Sequence, residues 1–522
     1  MGLMMLFWNR LILAIALVGF GVVCQRVGAG RPDVVVILCD DLGYGDVQCF
    51  NPKSGRIATP NVNRLASQGM RFFDAHSGSS VCTPTRYGLL TGRYAWRTRL
   101  QKGVATGFAP CLIDADRLTL PRMLQQHGYH TAMVGKWHLD FQYADPNSGK
   151  TLRRRDHKLP PVGTTIIDGP IHRGFDEFLG FHHAREMRAV IRDDRVIEHD
   201  AVETMLPRLK NEAIAFIERA TQTDQPYFLY LALNSPHTPI VPTEPWRGKS
   251  GLGDYADFVM QTDHVVGRVI DAIDRGGHGG HGDRGGRGDD TMIVFTSDNG
   301  CSKAAGIAKL AAQGHLVSGP LRGSKADLWE GGHRVPTIVR WPSVVAKGSQ
   351  CRQTICLVDT MATVADILDH SIGDDAAEDS VSFLPALRGE PIPTERSGIV
   401  HHSVSGHFGY RSGDWKLLLA RGSGGWSSPK ENQVSETEPS AQIYHLSNDL
   451  SETHNRYSGE LDDASKRSTS PPSPAVDTGH ADSPDAAGLL NELETIVRRG
   501  RSTPGPRRPN DVETIQLWKS RK

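Results

Sequence analysis

One short stretch of the chain combines a potential nucleophile with the start of a potential anion-binding helix. It spans residues 81–93 and reads VCTPTRYGLLTGR. Pro84 suits the first turn of a helix, where its missing N–H costs nothing, so we expect Cys82 just before the helix begins. Unpaired backbone N–H groups favour negative charge there, and Arg86 adds positive charge one turn further on. This arrangement suits transfer of a sulfuryl or phosphoryl group, although a buried structural cysteine beside a surface arginine would show the same spacing.

Two adjacent carboxylates follow the first apolar run of the chain. Residues 33–38 are continuously apolar and β-branched after the initial aspartate, which predicts a buried parallel strand. Asp40 and Asp41 come directly after this strand. Neighbouring carboxylates repel each other unless a cation neutralises them, which suggests a metal site. An ordinary turn, in which each side chain binds its own backbone, is the alternative.

Three later apolar strands, over residues 131–134, 227–233 and 291–296, also run into polar side chains. They are followed by Lys136 and His138, by His237 between two prolines, and by Asp298 and Asn299. Each of these residues also has a non-functional interpretation when considered alone. A Lys-x-His pair usually lies on the surface without a role, and a single histidine often has a structural role. Helices between the strands predict an α/β fold with a large, mostly parallel central sheet and helices on both faces.

The predicted topology brings these polar residues together. Parallel strands end at one edge of the sheet, and open α/β sheets bind ligands at that edge. The carboxylates after residue 38 should therefore lie near the side chains that follow the other three strands. Oxygen ligands from aspartate and asparagine favour Ca²⁺ or Mg²⁺ over zinc.

The composition and the first residues of the chain indicate an exported protein. The 522 residues contain 59 Lys+Arg and 59 Asp+Glu, so net charge gives no reason to expect a nucleic-acid partner. Arg10 precedes an apolar run over residues 11–23, which suits a signal peptide over 1–29 and is short for a transmembrane span. We expect a periplasmic or secreted location. Lipid attachment at Cys24 is the alternative, but the residues before it make a poor lipobox.

Sequence composition also suggests the domain organisation. Residues 30–390 are assigned to the catalytic domain. Four short strands, near residues 397–402, 407–411, 415–420 and 442–445, predict a smaller C-terminal antiparallel-sheet subdomain over 391–457. Residues 458–522 are expected to be a low-complexity, mostly disordered tail with one helix over 489–499 and a solvated basic end.

Several loops and cysteines carry further expectations. Residues 143–170 are charged and turn-rich and are predicted to form a long loop over the site. Residues 172–178 are predicted to form a compact turn with aromatic packing. Residues 275–290 are glycine-rich, which indicates a surface loop rather than a metal site at His278 and His281. Eight cysteines in so long a chain do not make a disulfide framework. Cys351 and Cys356 are close enough to pair, whereas Cys39 and Cys49 are expected to be free and buried.

The stretch around Cys82 resembles the signature of type I sulfatases, in which this cysteine is oxidised to formylglycine (3-oxoalanine). A second stretch, residues 128–138 (GYHTAMVGKWH), is similar to the second sulfatase signature. Residues 442–457 resemble the C-terminal module of the same family. The resemblance extends from about Pro32 to Tyr457 and is to the arylsulfatase branch of the alkaline-phosphatase superfamily. The glycine-rich insert and the tail after Ser458 depart from the family pattern.

The resemblance implies a function for each site residue. It implies a hydrated formylglycine nucleophile at position 82, stabilised by Arg86, and a formylglycine-generating enzyme as a maturation partner. It implies that His138 helps to break down the sulfated intermediate, and that His237 with Lys325 protonates the leaving oxygen. The sulfate is then surrounded by Lys136, His138, His237 and Lys325, and one Ca²⁺ is bound by Asp40, Asp41, Asp298 and Asn299.

The expected reaction is hydrolysis of a sulfate ester. Two alternative functions remain. A phosphonate or phosphodiester hydrolase would use the same nucleophile and metal. A catalytically dead glycan-binding protein would keep the fold, but retention of every motif residue argues against it. A sulfated glycan is the expected substrate, and similarity to arylsulfatase A and galactosamine-6-sulfatases favours sulfated galactose or N-acetylgalactosamine.

Overall fold

A twelve-stranded mixed sheet forms the centre of the molecule, and a four-stranded antiparallel sheet lies C-terminal to it. The computed structural model describes residues 31–153, 159–276, 287–393, 395–457 and 485–519. The strands are β1 (Asp33–Asp40), β2 (Met70–Phe72), β3 (Ala75–His76), β4 (His130–Lys136), β5 (Tyr143–Ala144), β6 (Thr165–Ile166), β7 (Glu177–Phe181), β8 (Ala189–Arg192), β9 (Arg195–His199), β10 (Tyr227–Pro236), β11 (Thr291–Ser297), β12 (Thr337–Arg340), β13 (Ser349–Cys351), β14 (Ile355–Cys356), β15 (Ile399–His402), β16 (Phe408–Ser412), β17 (Trp415–Leu418) and β18 (Gln442–His445). The helices are α1 (Pro60–Gln68), α2 (Cys82–Thr91), α3 (Leu120–Gln126), α4 (Met205–Ala220), α5 (Asp254–Gly276), α6 (Ile307–Ala312), α7 (Glu330–His333), α8 (Thr360–Ile367), α9 (Leu384–Leu387) and α10 (Ala486–Arg499).

Five neighbouring strands in the middle of the large sheet run parallel, in the order β11-β1-β10-β4-β7. In this register Leu38 of β1 lies opposite both Thr296 and Ala232, and Ala232 lies opposite Gly135. The carboxyl ends of these strands therefore share one edge of the sheet. Most of the outer strands are short and antiparallel, which makes the complete sheet mixed. The predicted α/β architecture with a smaller C-terminal antiparallel sheet is confirmed.

Both faces of the large sheet are covered by helices because both faces of its central strands are apolar. Val34 and Val36 of β1 pack into one core, together with residues of α2, α3 and α8. Val35 and Ile37 point to the opposite face and pack with α1, α4 and α5. This alternation follows from the two-residue period of a strand. With both faces covered by helices, a ligand approaches the sheet at the ends of its strands.

Two loop assignments from the sequence are corrected by the structure. Residues 172–178 were expected to form a compact turn, but β7 begins at Glu177 and extends the parallel part of the sheet by one strand. Residues 143–170 were expected to be a loop over the site. They instead carry β5 and β6, which pair with each other at the far end of the large sheet. These two strands have only two residues each, and β6 pairs with β9 as well as with β5.

The seven cysteines in the described ranges are all free. The suggested pairing of Cys351 with Cys356 is therefore wrong. Cys351 pairs through β13 with the large sheet, whereas Cys356 belongs to β14 in a separate two-stranded sheet. The two cysteines are close in sequence, but their sulfur atoms do not form a disulfide. Cys39 is buried as expected, and Cys49 is partly exposed.

The C-terminal segment after residue 484 packs onto the protein rather than extending into solvent. Helix α10 buries Leu489, Leu490 and Leu493 in the core that it shares with the four-stranded sheet. Further on, Asp511 forms an ion pair with the buried Arg93 at 2.9 Å. A guanidinium taken out of water needs carboxylate partners, so this contact fixes the end of the chain. The expectation of a solvated basic end is thus wrong for residues 501–503, which are buried, whereas residues 504–507 are exposed as expected.

Several sequence-based expectations fall outside the described residues. They concern the signal peptide with Cys24, the histidines of the glycine-rich insert, and the predicted disorder of residues 458–484.

Within the described ranges, none of the helices combines the length and the apolar character that a membrane span requires. The longest, α5, has 23 residues and includes several aspartates.

Candidate active site

Helix α2 presents Cys82 at its first position, one residue earlier than the sequence predicted. Val81 precedes it in an extended conformation, and every residue of the helix is buried. The helix ends at Gly92, whose φ of +64° is left-handed and whose N–H donates to Gly88 O at 2.8 Å. Glycine suits this position because it adopts positive φ without steric cost. The Cys82 side chain is thus held at a helix N-terminus inside the protein.

Arg86 is completely buried and is not the surface residue that the alternative interpretation required. Its Nε and one terminal nitrogen donate to Asp298 Oδ2 at 3.2 and 2.8 Å. The other terminal nitrogen donates to the backbone oxygen of Lys136 at 2.8 Å. Burial alone would lower the pKa of Arg86, but the Asp298 and Asp40 carboxylates raise it above its ordinary value. Arg86 therefore remains a fixed positive charge between α2 and the ends of two parallel strands.

The acidic residues after β1 and β11 lie together at the sheet edge. Asp41 has a φ of +66°, a conformation that aspartate tolerates better than most residues, and its N–H donates to Asp298 Oδ1 at 3.2 Å. Its Oδ1 accepts hydrogen bonds from Asn299 Nδ2 at 2.8 Å and from Lys325 Nζ at 2.5 Å. Asp40 Oδ2 lies 2.6 Å from Lys136 Nζ. Three carboxylates and three cations, including Arg86, thus neighbour one another in a buried space.

The donor set fits a hard divalent cation. Asp40, Asp41, Asp298 and Asn299 are each at most 1% exposed. Two of their oxygens, Asp40 Oδ1 and Asn299 Oδ1, are buried without a hydrogen-bond partner among the described residues. Leaving a buried acceptor unpaired costs about 1–3 kcal/mol, so these oxygens need a ligand. Carboxylate and amide oxygens are what Ca²⁺ and Mg²⁺ bind.

The pKa values of Asp40 and Asp298 shift in opposite directions. Burial opposes ionisation of Asp40, but Lys136 and His237 outweigh it and hold the pKa of Asp40 well below its ordinary value. Burial and the adjacent Asp40 carboxylate raise the pKa of Asp298, in spite of Arg86. The surrounding positive charge therefore favours the ionised form of Asp40 more than that of Asp298.

His138 lines the same cavity as Cys82 and is held from two sides. Its φ is +57°, and its Nε2 lies 3.1 Å from the backbone oxygen of Ala105. Thr83 Oγ1, one residue after Cys82, donates to His138 O at 2.9 Å and accepts from Ala105 N at 3.0 Å. His138 Nδ1 is buried and has no partner in the part of the chain that the structure describes. Burial, reinforced by Lys136, lowers the pKa of His138 well below its ordinary value.

His237 and Lys325 complete the group. His237 Nδ1 lies 2.5 Å from Thr238 O, and its Nε2 lies 3.6 Å from Asp41 Oδ2. This side chain is 17% exposed, more than the other cationic or histidine groups at the edge. Lys325 Nζ lies 3.9 Å from Cys82 Sγ. Burial raises the pKa of the Cys82 thiol although Lys136 and Lys325 oppose this, so an unmodified cysteine here would be a protonated thiol.

Of the residues described above, Cys82, Lys136, His138, His237 and Lys325 line a cavity of about 330 Å³, whereas Arg86 and the acidic residues lie behind its wall. Its wall also contains residues that the sequence analysis did not select, namely Val81, residues 104–106, residues 183–185, Thr238, Val404 and Trp426. His183 follows β7, so the rule that polar residues after a buried parallel strand face the site would have found it. Val404 and Trp426 come from the C-terminal module, and no sequence signal placed them near Cys82. Residues 143–170, expected over the site, are not among the lining residues.

Comparison with known proteins identifies the family. A family model described as Sulfatase matches residues 32–370, which is more than half of the chain. The chain belongs to the sulfatase family. The N-acetylgalactosamine-6-O-sulfatase of Bacteroides thetaiotaomicron is 30% identical over 477 residues, covering 81% of this chain and 89% of that protein. Human arylsulfatase A is 28% identical, with 83% of this chain and 84% of the relative covered.

A solved structure agrees with this assignment. A sulfatase of Bacteroides thetaiotaomicron, described in a study of glycosaminoglycan metabolism, matches with a TM-score of 0.69 at 26% identity. The match covers 81% of this chain and 95% of that one. This sulfatase is therefore a sulfuric ester hydrolase. Sulfatases generally bind a metal ion, and the acidic groups described above are candidates for holding one.

Proposed function

We propose that this sulfatase hydrolyses a sulfate ester on a glycan, with formylglycine at position 82 as its nucleophile. The observation that carries the proposal is the cluster around Cys82. A helix N-terminus and a lysine 3.9 Å from the sulfur line one cavity, and that lysine also contacts the buried acidic group through Asp41. A sulfuryl group has three peripheral oxygens whose charge must be held while the S–O bond breaks. Preorganised cations and backbone N–H groups supply that stabilisation.

The proposed metal is one Ca²⁺, with Mg²⁺ as the alternative, bound by Asp40, Asp41, Asp298 and Asn299. When bound, it would neutralise the carboxylates and attract the sulfate oxygens. The three carboxylates already balance Arg86, Lys136 and Lys325 in charge. With a divalent cation added, the site carries an excess of positive charge that matches an anionic ester. Lys136 and Lys325 are then available to bind sulfate oxygens.

The proposed reaction has two steps. In the first, one hydroxyl of the hydrated formylglycine gives its proton to the Asp298 carboxylate, which lies within 4.8 Å of the Cys82 sulfur, and its oxygen attacks the sulfur of the ester. The S–O bond to the substrate then breaks, and His237 gives a proton to the leaving oxygen. In the second, His138 takes the proton of the remaining hydroxyl, the bond between Cβ and the sulfate oxygen breaks, and the aldehyde is restored. Water then rehydrates the aldehyde. A gem-diol thus avoids attack of water on a covalent adduct, which a plain thiol or hydroxyl would require.

A glycan is the proposed substrate class. The relative at 30% identity acts, by its name, on N-acetylgalactosamine 6-O-sulfate, so sulfated galactose or N-acetylgalactosamine is the proposed sugar. The cavity falls at the small end of the range for ligand sites, which suits one sugar residue. Its rim offers His183, Arg185 and Thr106 for contacts with hydroxyl groups.

The proposal includes how the enzyme is made and where it acts. Residues 1–29 would direct export to the periplasm or the outside, and a formylglycine-generating enzyme would oxidise Cys82 beforehand. Residues 30–390 would form the catalytic domain and 391–457 the C-terminal subdomain. Residues 458–522 would follow as a tail that contains one short helix.

A substrate comparison tests the proposal. Protein with verified formylglycine is assayed on N-acetylgalactosamine 6-sulfate, on the matched 6-phosphate and on an aryl sulfate. We expect release of inorganic sulfate from the sugar and a much lower rate on the phosphate ester. A preference for phosphate or phosphonate esters would assign the other hydrolase activity. Binding of the sulfated sugar without turnover would indicate an inactive glycan-binding protein.

A further inference from the structure

Trp426 is an exposed aromatic residue at the mouth of the active-site cavity. It is 37% exposed, and few large apolar residues of the described chain are as accessible. It lies in the loop between β17 and a short 3₁₀ helix, Glu431–Gln433, and so belongs to the C-terminal module. It nevertheless lines the same cavity as Cys82, Lys136 and His237. An exposed aromatic side chain in a catalytic cavity commonly contacts a ligand.

The loop that carries Trp426 is fastened to the loop that carries Lys325. Asp327, two residues after Lys325, accepts hydrogen bonds from the backbone N–H groups of Trp426 and Ser427 at 2.9 and 3.0 Å. Its other oxygen accepts from Ser427 Oγ at 2.5 Å and from Ser324 N at 2.9 Å. One buried carboxylate therefore holds together a sulfate-site lysine and the tryptophan from the other module.

Close packing fixes this arrangement further. A Cβ at Gly425 would lie 2.2 Å from Ala326 O, so only glycine permits this approach of the two backbones. The Lys303 ammonium lies over the Trp426 ring, 5.2 Å from its centroid. A cation over an aromatic face is attracted to it and restrains the ring. Trp426 is thus a positioned side chain and not a freely moving one.

We propose that Trp426 is a stacking platform for the sugar ring that bears the sulfate. A pyranose ring presents C–H groups on one face, which gain dispersion and desolvation energy against an indole. The sulfate would be held at Lys136 and Lys325, and the ring beyond it would lie against Trp426. The C-terminal module would thereby select the substrate of the catalytic domain. This inference rests on the proposed glycan sulfatase function.

The test compares Trp426→Ala with Trp426→Phe, each with formylglycine verified. Trp246→Ala is the matched control, because Trp246 also lies beside a lysine, Lys249, but does not line the cavity. For each protein we measure KM and kcat on N-acetylgalactosamine 6-sulfate, and Ki for inorganic sulfate. Sulfate occupies only the anion site, so its Ki reports whether Lys136 and Lys325 remain in place.

We expect Trp426→Ala to raise KM for the sulfated sugar roughly tenfold and to leave the Ki of sulfate within twofold of wild type. Trp426→Phe should retain most of the affinity, and Trp246→Ala should behave as wild type. An unchanged KM in Trp426→Ala, with wild type active on the sugar, would overturn the platform and leave the proposed function intact. A parallel rise in KM and sulfate Ki would assign Trp426 a structural role instead. Wild type that cleaves aryl sulfates but no sulfated sugar would remove the substrate class and the platform together.

Discussion

The Lys325 ammonium lies 3.9 Å from the Cys82 sulfur and also contacts Asp41 Oδ1 at 2.5 Å. One side chain thus joins Cys82 to the acidic group, although the two come from different parts of the chain. In the absence of other cations the lysine neutralises a carboxylate. With a metal bound to that carboxylate, the same ammonium would be released to bind a sulfate oxygen. This relationship underlies the first two predictions.

Conversion of Cys82 to formylglycine should be required for activity, because a thiol lacks the second hydroxyl that releases sulfate. We expect Cys82→Ala to fold and to show no turnover, whereas the buried, free Cys111 can be changed to serine without loss of activity. Peptide mass spectrometry of protein made with a formylglycine-generating enzyme measures the conversion. Full activity with only unmodified Cys82 would exclude this nucleophile.

Removal of the metal should abolish activity and loosen the loops after β1 and β11. Without it Asp40, Asp41 and Asp298 are crowded, and Asp40 Oδ1 and Asn299 Oδ1 remain unpaired. We expect chelation to inactivate the enzyme, and added Ca²⁺ or Mg²⁺ to restore activity and raise the melting temperature. Potassium chloride at equal ionic strength is the control. Full turnover by protein shown metal-free by elemental analysis would contradict the ligand assignment.

His237→Ala should affect substrates according to their leaving groups. A phenolate leaves readily without a proton, whereas a sugar alkoxide needs one in the transition state. We expect loss of the general acid to reduce kcat/KM on a sulfated sugar by about 10²–10⁴-fold and to reduce it far less on an activated aryl sulfate. The exposed His454 provides the control, as His454→Ala should change neither rate. Equal losses on the two substrates would leave His237 as a sulfate-binding group only.

Stability should fall in acid because three histidines, from β3, α7 and β15, are buried against one another. His76 Nδ1 lies 3.1 Å from His333 Nδ1, and the His333 and His401 rings stack with centroids 3.7 Å apart. Burial lowers the pKa of all three below the ordinary value of 6.5. The charged groups that surround them are Asp74, Glu330, Arg334, Arg411, Lys416 and Glu452.

The unfolded chain binds protons at these histidines below pH 6.5, whereas the folded protein does not until a lower pH. The free energy of unfolding should therefore decrease from pH 6.5 to pH 5, by about 2 kcal/mol for each histidine that stays neutral. Urea unfolding at several pH values measures this slope. His401→Phe, which removes one titrating ring and keeps an aromatic neighbour for His333, should flatten it, and His454→Phe should not. An unchanged slope in His401→Phe would show that the histidine is protonated in the folded state.

Much of the candidate site could be predicted from the sequence because its signals are local. A buried apolar strand followed at once by polar residues marks the carboxyl end of a parallel strand, and such ends meet at one edge. That reasoning selected Asp40, Lys136, His237 and Asp298, which the structure brings together. It overlooked His183 only because β7 was taken for a turn. Lys325 does not follow a strand, and only the resemblance to sulfatases pointed to it.

The sequence by itself determined the parallel centre of the sheet, the helix that carries Cys82 and the family signatures, since these depend on periodicity and spacing over a few residues. Tertiary structure alone decided which cation pairs with which carboxylate, that Arg86 is buried, and that the end of the chain docks on Arg93 through Asp511. It also decided that Trp426 reaches the cavity. These relationships join residues that are far apart in the chain, and packing and charge compensation fix them only once the modules are assembled.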